Sequence, residues 1–286
     1  QSIHDLDLSR NALGYHSINS LLCICGPRKV QVVTQGNYVF EEILNSVSHG
    51  VAFIGSVVGA FILIADATDT YSTDYHFWSS IIYSFALMFL FLSSCLFHSF
   101  FMLPSTMRIL QILDHVGIYL VIAGTYTPFL LVALHKHTSA TVLLIFEWIA
   151  ALLGIFFATC SDLNNPNTTK VELSLFLGMG LGVVMVGDLL WTELSKQALI
   201  LLLVGGGLYI VGIAFFILGE YRPIYHVVWH LFVVVAACAH WFAVYFFVLQ
   251  VSLENTPTRA AVTEFADSVY GAAEAIDNLV NRTLAQ

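Results

Sequence analysis

The sequence predicts an all-α, polytopic membrane protein: seven transmembrane helices in a bundle, followed by an amphipathic helix at the C-terminus. Three observations predict it. Of 286 residues, 58% are apolar and only 10% are charged, against about 25% charged in a soluble domain. The mean hydropathy is +0.82. The apolar residues come in long continuous runs, unlike the short alternating segments of a transmembrane barrel.

A spanning helix needs about 20 mostly apolar residues. Runs of that kind lie at about 47–65, 77–100, 112–134, 141–160, 172–191, 198–219 and 226–249. The connections between them are short and leave no room for a second globular domain. The chain therefore divides into a polar N-terminal tail (1–45), the seven-helix domain (46–249) and a C-terminal tail (250–286). Residues 1–20 hold no continuous apolar stretch of the secretory kind, so insertion is expected to rely on the first span.

Orientation follows from Lys and Arg in the flanks. Arg28, Lys29, Arg108, Lys170 and Arg222 lie on the N-terminal side, and Lys136, Lys196 and Arg259 on the other. The excess predicts an N-terminus in the cytosol or matrix and, after seven spans, a C-terminus in a lumen or outside the cell. Ten basic residues against nineteen acidic ones, a net charge of −9, exclude a nucleic-acid footprint.

In the C-terminal tail, Thr256 and Pro257 read as an N-cap and first-turn pair. Val262, Phe265, Val269, Ala273, Ile276 and Val280 recur at three- and four-residue spacing. This predicts an amphipathic helix lying on the bilayer surface or on a partner. Five cysteines, three of them in spans, do not describe a disulfide framework. Cys23 and Cys25 read as reduced thiols, with acylation or metal binding as the alternatives.

Ionisable residues at membrane depth mark function by default. Ser94 and His98 end span two, Asp114 and His115 begin span three, His226 and His230 begin span seven, and Glu42 and His49 stand at the start of span one. Alternating span direction puts all of them in one leaflet. His226 and His230, four residues apart, project from one helix face, and His98 can add a third nitrogen. Three protein ligands plus a water describe an open zinc site. Imidazole also suits copper, iron and nickel, and zinc is preferred because nothing in the sequence points to redox chemistry. Asp114 could ligate the ion, or hold and deprotonate its water. Ser94, one turn from His98, could orient a ligand or donate to a developing oxyanion.

Other polar residues read more plainly. His240 lies about 15 Å deeper than His230 at 1.5 Å per residue, and is expected as a core polar contact or a cavity residue. His76, His135 and His137 read as solvated loop histidines on the opposite side. Glu147, inside span four, faces a cavity or pairs with another polar group, and Asp188 reaches the interface. Gly178, Gly180 and Gly182 read as a helix-packing stripe. Gly205, Gly206 and Gly207 suggest close packing or a kink, and Pro128 a kink in span three.

These motifs together resemble those of a known family. Glu42-x-x-Asn45-x-x-Ser48-His49-Gly50 looks like the opening motif of the hemolysin III proteins, and Ser94-x-x-x-His98 like their second. Asp114-His115-x-x-Ile118-Tyr119-Leu120, running on to Thr125-Tyr126-Thr127-Pro128, looks like the third. His226-x-x-Trp229-His230 with His240 looks like the last. The likeness covers about residues 41–249, within the progestin and adipoQ receptor (PAQR) superfamily. It is nearest to the branch of hemolysin III and monocyte-to-macrophage differentiation factor. The resemblance implies seven helices with the N-terminus inside and a zinc ion near the cytosolic face. It implies His98, His226 and His230 as metal ligands, with the family's aspartate at Asp114 and its serine at Ser94. One branch of the superfamily is linked to ceramide hydrolysis.

The function expected is therefore a zinc-binding integral membrane protein acting as a metal-dependent lipid amidohydrolase of the ceramidase type. Membrane lipids are its partners and source of substrate or ligand. The alternative is a seven-helix receptor or signalling scaffold with a structural zinc. A pore-forming hemolysin stands third, since no polar stripe runs along several spans.

Overall fold

The computed structural model describes residues 30–68 and 73–251. The expected C-terminal helix, Cys23, Cys25, Arg28, Lys29 and Arg259 lie outside these residues.

All regular structure among the described residues is helical. The elements are α1 (Val30–Asp66), α2 (Asp74–Ser99), α3 (Pro104–Pro128), α4 (Thr138–Cys160), α5 (Pro166–Leu181), α6 (Gly187–Glu193), α7 (Lys196–Gly219) and α8 (Ile224–Ala243). A π turn, Phe129–Ala133, continues α3, and another, Val244–Val248, continues α8. A 3₁₀ turn, Gly182–Val186, joins α5 to α6 within one span. Seven segments are long and apolar enough to cross a membrane, as the hydropathy pattern predicts.

Local chemistry sets the ends. Pro104 and Pro166 occupy first-turn positions, where a missing N–H breaks no helical bond. Asn165 caps α5 by accepting from the Asn167 N–H at 2.9 Å, and Ser195 caps α7 by accepting from the Ala198 N–H at 3.2 Å. Span one starts earlier than its apolar run: the helix is continuous from Val30 and the spanning segment from Tyr38. Glu41, Glu42 and Asn45 dilute the hydropathy there, yet Glu42, Asn45 and His49 turn inward and are buried. Their spacing of three and four residues puts them on one helix face.

The third span is the centre of the bundle, with 61% of its apolar window buried, and the sixth is peripheral, with 11%. Span six packs chiefly on α8. Its inward residues are Ala198, Gly205, Gly212 and Gly219, seven residues apart. A Cβ at Gly205 would strike the His240 ring, and one at Gly212 the Trp229 ring at 2.8 Å. The small residues thus let the large rings of α8 pack against the α7 backbone. Phe61, Phe156, Met185 and Trp191 are among the exposed large side chains that face outward, where lipid is the natural solvent.

Four expectations change or sharpen. His76 is buried, not solvated: its Nδ1 accepts from the Thr73 N–H at 3.2 Å, and its Nε2 donates to the Val251 carbonyl at 3.0 Å. Being two residues into α2, it closes the N-terminal turn and ties it to the end of span seven. His137 pairs with Glu193 at 3.1 Å at the surface. Of the Gly178–Gly182 stripe, Gly178 and Gly180 meet nothing within 4 Å, so it is not a packing surface inside the bundle. Only Gly182 is in close contact, against the Glu147 carboxylate. Neither Glu147 oxygen has a hydrogen-bond partner among the described residues.

Candidate metal centre

The end of α2, the first turns of α8 and the inward face of α1 meet in one leaflet. His98 is the last inward residue of α2, and His226 and His230 sit one turn apart on α8. One ligand nitrogen of each histidine lies within 4.8 Å of the other two. The ring centroids are 4.8 Å apart for His98–His230 and His226–His230, and 5.4 Å for His98–His226. His98 and His230 are buried and His226 is half-buried.

The donor chemistry fits a metal ion. His98 Nδ1 donates to Glu42 Oε2 at 2.7 Å, which fixes the tautomer and leaves the lone pair on Nε2. That Nε2 is buried without a partner, as is His230 Nδ1. A buried, unpaired lone pair is unfavourable by about 1–3 kcal/mol. A cation held among the three rings would satisfy nitrogens of this kind. The cluster is three histidines; Asp114 is not among the grouped ligand atoms. The Asp114 carboxylate lies near the Ser94 hydroxyl and within electrostatic reach of His98.

The residues singled out from sequence therefore assemble in one place. His98, His226 and His230 form the cluster, with Ser94 and Asp114 near one another and Asp114 within electrostatic reach of His98. His240 stands apart, as its depth required, with Nε2 donating to the Leu202 carbonyl at 3.1 Å. The sequence reading placed Glu42 and His49 in the correct leaflet but gave them no part. Glu42 is the partner of His98. His49 stacks on His230, with centroids 3.9 Å apart and planes 18° from parallel, and its edge-to-face neighbour is Phe91. Both His49 nitrogens are buried without partners. Glu172, which accepts from His115 Nδ1 at 2.8 Å, was not singled out at all. The signal for Glu42 and His49 was the 42, 45, 49 spacing, a single polar face on an apolar helix. Glu172 left only a lone carboxylate at the margin of a span.

The fold and this cluster define a seven-span helical membrane protein with a buried histidine site that could hold a metal ion in one leaflet. Comparison with known proteins agrees with that class. Residues 37–241 match the family model described as haemolysin-III related, and the chain belongs to that family. It is 37% identical over 212 residues to hemolysin-3 of Bacillus cereus, covering 74% of this chain and 94% of that protein. It is 36% identical over 211 residues to a hemolysin-3 homolog of Bacillus subtilis, covering 74% and 96%. It is 28% identical over 213 residues to the human monocyte to macrophage differentiation factor, covering 72% and 84%. The matched region spans the whole metal cluster and excludes both ends of the chain.

Proposed function

We propose that the protein is a zinc-dependent membrane amidohydrolase acting on a lipid amide such as ceramide, with its site in the cytosolic leaflet. The observation that carries this reading is the position of the Ser94–Asp114 pair, beside the three histidines rather than within their ligand set. Three protein ligands leave a position open for reactants, which is the arrangement of catalytic rather than structural zinc. A zinc ion there would supply Lewis-acid polarisation of a carbonyl and acidify water.

The chain's own residues would do the rest. Glu42 holds the His98 ring in one tautomer and plane. His49, stacked flat on His230, restricts the rotation of that ring. Asp114 takes a proton from the attacking water as the new C–O bond forms, then gives it to the amine nitrogen as the C–N bond breaks. Ser94 orients Asp114 while the carboxylate is charged. Once Asp114 carries the proton, the Ser94 hydroxyl is free to donate to the carbonyl oxygen, where negative charge has built up.

The test is Asp114→Asn, which keeps shape and one acceptor oxygen but cannot act as a base. Zinc content and melting temperature are expected to stay near wild type, while ceramide turnover falls about 10²–10⁴-fold. Unchanged turnover would end the role of Asp114. A zinc-loaded wild type inert on a broad panel of amide and ester lipids would favour the second reading, a receptor or scaffold. That reading has one observation in its favour: the cluster and Glu42 tie α1, α2 and α8 together, as a structural clamp would.

A further inference from the structure

Next to the cluster, α3 and α5 face each other across two rungs. Both spans begin in the same leaflet, so the helices run parallel. His115 and Tyr119 are one turn apart on α3, and Glu172 and Phe176 one turn apart on α5. The first rung is the hydrogen bond from His115 Nδ1 to Glu172 Oε2, 2.8 Å. The second is aromatic, with the Tyr119 and Phe176 rings 4.6 Å apart and tilted by 54°. The Tyr119 ring presses on α4 at Gly154, where a Cβ would collide with it.

Two polar atoms in this ladder lack partners. Glu172 is 2% exposed, and its Oε1 accepts from nothing among the described residues; Tyr119 is fully buried, and its hydroxyl is unpaired. The two groups lie within electrostatic reach of each other. His115 lies within the same reach of Asp114 and of His226.

We propose that His115, Glu172, Tyr119 and Phe176 form a recognition site for a primary ammonium group carried on a hydrocarbon chain. A buried carboxylate oxygen that accepts nothing requires a donor, and a cationic donor satisfies it best. The Tyr119 and Phe176 ring faces add attraction for a cation, and the Tyr119 hydroxyl can pair with a neighbouring hydroxyl of the ligand. His115 Nδ1 already donates to Glu172 Oε2, so the ligand meets the remaining oxygen, Oε1. The surrounding apolar wall takes the chain. In the amidohydrolase reading, on which this assignment builds, the group held here is the leaving amine, which takes one proton from Asp114 and becomes ammonium by taking a second from the carboxylic acid formed with it. A free long-chain amine and the ammonium headgroup of phosphatidylethanolamine share this chemistry.

The experiment uses the purified full-length chain in neutral detergent and a tritiated long-chain 2-amino-1,3-diol, by scintillation proximity. Wild type is expected to bind it, and the analogue with a hydroxyl in place of the amine at least about tenfold less well, the loss that follows when a charge-assisted hydrogen bond disappears. Glu172→Gln is expected to lose a similar factor, and Tyr119→Phe a smaller one, with zinc content unchanged. Chelator-treated wild type is expected to keep binding, because the ladder holds no metal ligand. Competition by phosphatidylethanolamine vesicles, but not by phosphatidylcholine vesicles, would identify the headgroup as the natural source; competition by neither leaves the free amine. Equal affinity for the amine and its hydroxyl analogue, or no binding by wild type, overturns the proposal even if Glu172→Gln fails to fold. Amine binding intact in a protein that hydrolyses nothing would refute the hydrolase reading and leave this site standing.

Discussion

Glu42→Gln isolates the contribution of the carboxylate that holds His98. The two side chains are 3% and 4% exposed and meet at 2.7 Å, a length typical of a charge-assisted bond. Gln keeps the volume and an acceptor oxygen, so His98 Nδ1 retains a neutral hydrogen bond. What disappears is the difference between a charged and a neutral bond, about 1–2 kcal/mol. If a metal binds through His98 Nε2, that loss falls on the bound state, because the carboxylate makes the ring a better donor. A loss of 1–2 kcal/mol is about 5- to 30-fold in zinc affinity. Competition against a chromophoric chelator, on purified protein in detergent, measures it directly. Glu193→Gln, on the far side and half-exposed, is the control and is expected to change nothing. Equal affinities for wild type and Glu42→Gln would refute the coupling of Glu42 to the metal. Equal losses in both variants would refute its locality.

Other expectations follow from the same geometry. The double variant His226→Ala, His230→Ala should lose stoichiometric zinc, by elemental analysis, and its chelator-induced shift in melting temperature; full zinc retention would remove these residues from the site. Gly205→Ala should destabilise the fold by about 1–3 kcal/mol, because the His240 ring stands where the methyl would go. Gly207→Ala meets open space and should be neutral or slightly stabilising, so equal thermal shifts for the two would refute the packing account. For orientation, Asn167 and Asn281 each begin an acceptor sequon. With the N-terminus in the cytosol only Asn281 should take sugar in microsomes, and sugar on Asn167 alone would invert the topology.

Spans two to seven and the three histidines were legible because hydrophobic length and span-by-span alternation of direction are coarse properties. Parity alone puts His98, Asp114 and His226 in one leaflet. The rest needed knowledge of which helix faces meet. Span one looked shorter than it is because Glu42 and Asn45 lower its hydropathy, although they point inward. The break at Gly182 was invisible because the apolar run continues through it; its close neighbour is Glu147, a residue 35 positions away on another helix. His76 looked like a loop residue because the bond that buries it comes from Val251, 175 positions on.

The two π turns have an evolutionary consequence. Phe129–Ala133 and Val244–Val248 close the far ends of the third and seventh spans and pack on each other. Each wide turn accommodates one residue more than an α-helix of the same rise. Deleting one residue from either turn would restore α geometry locally and leave Asp114, His226 and His230 in register, because the metal centre lies at the opposite end of both helices. Deleting one residue on the site side of the turns would rotate the centre by about 100°. Single-residue gaps between relatives should therefore collect at 129–133 and 244–248 and be missing from the stretches between those turns and the histidines.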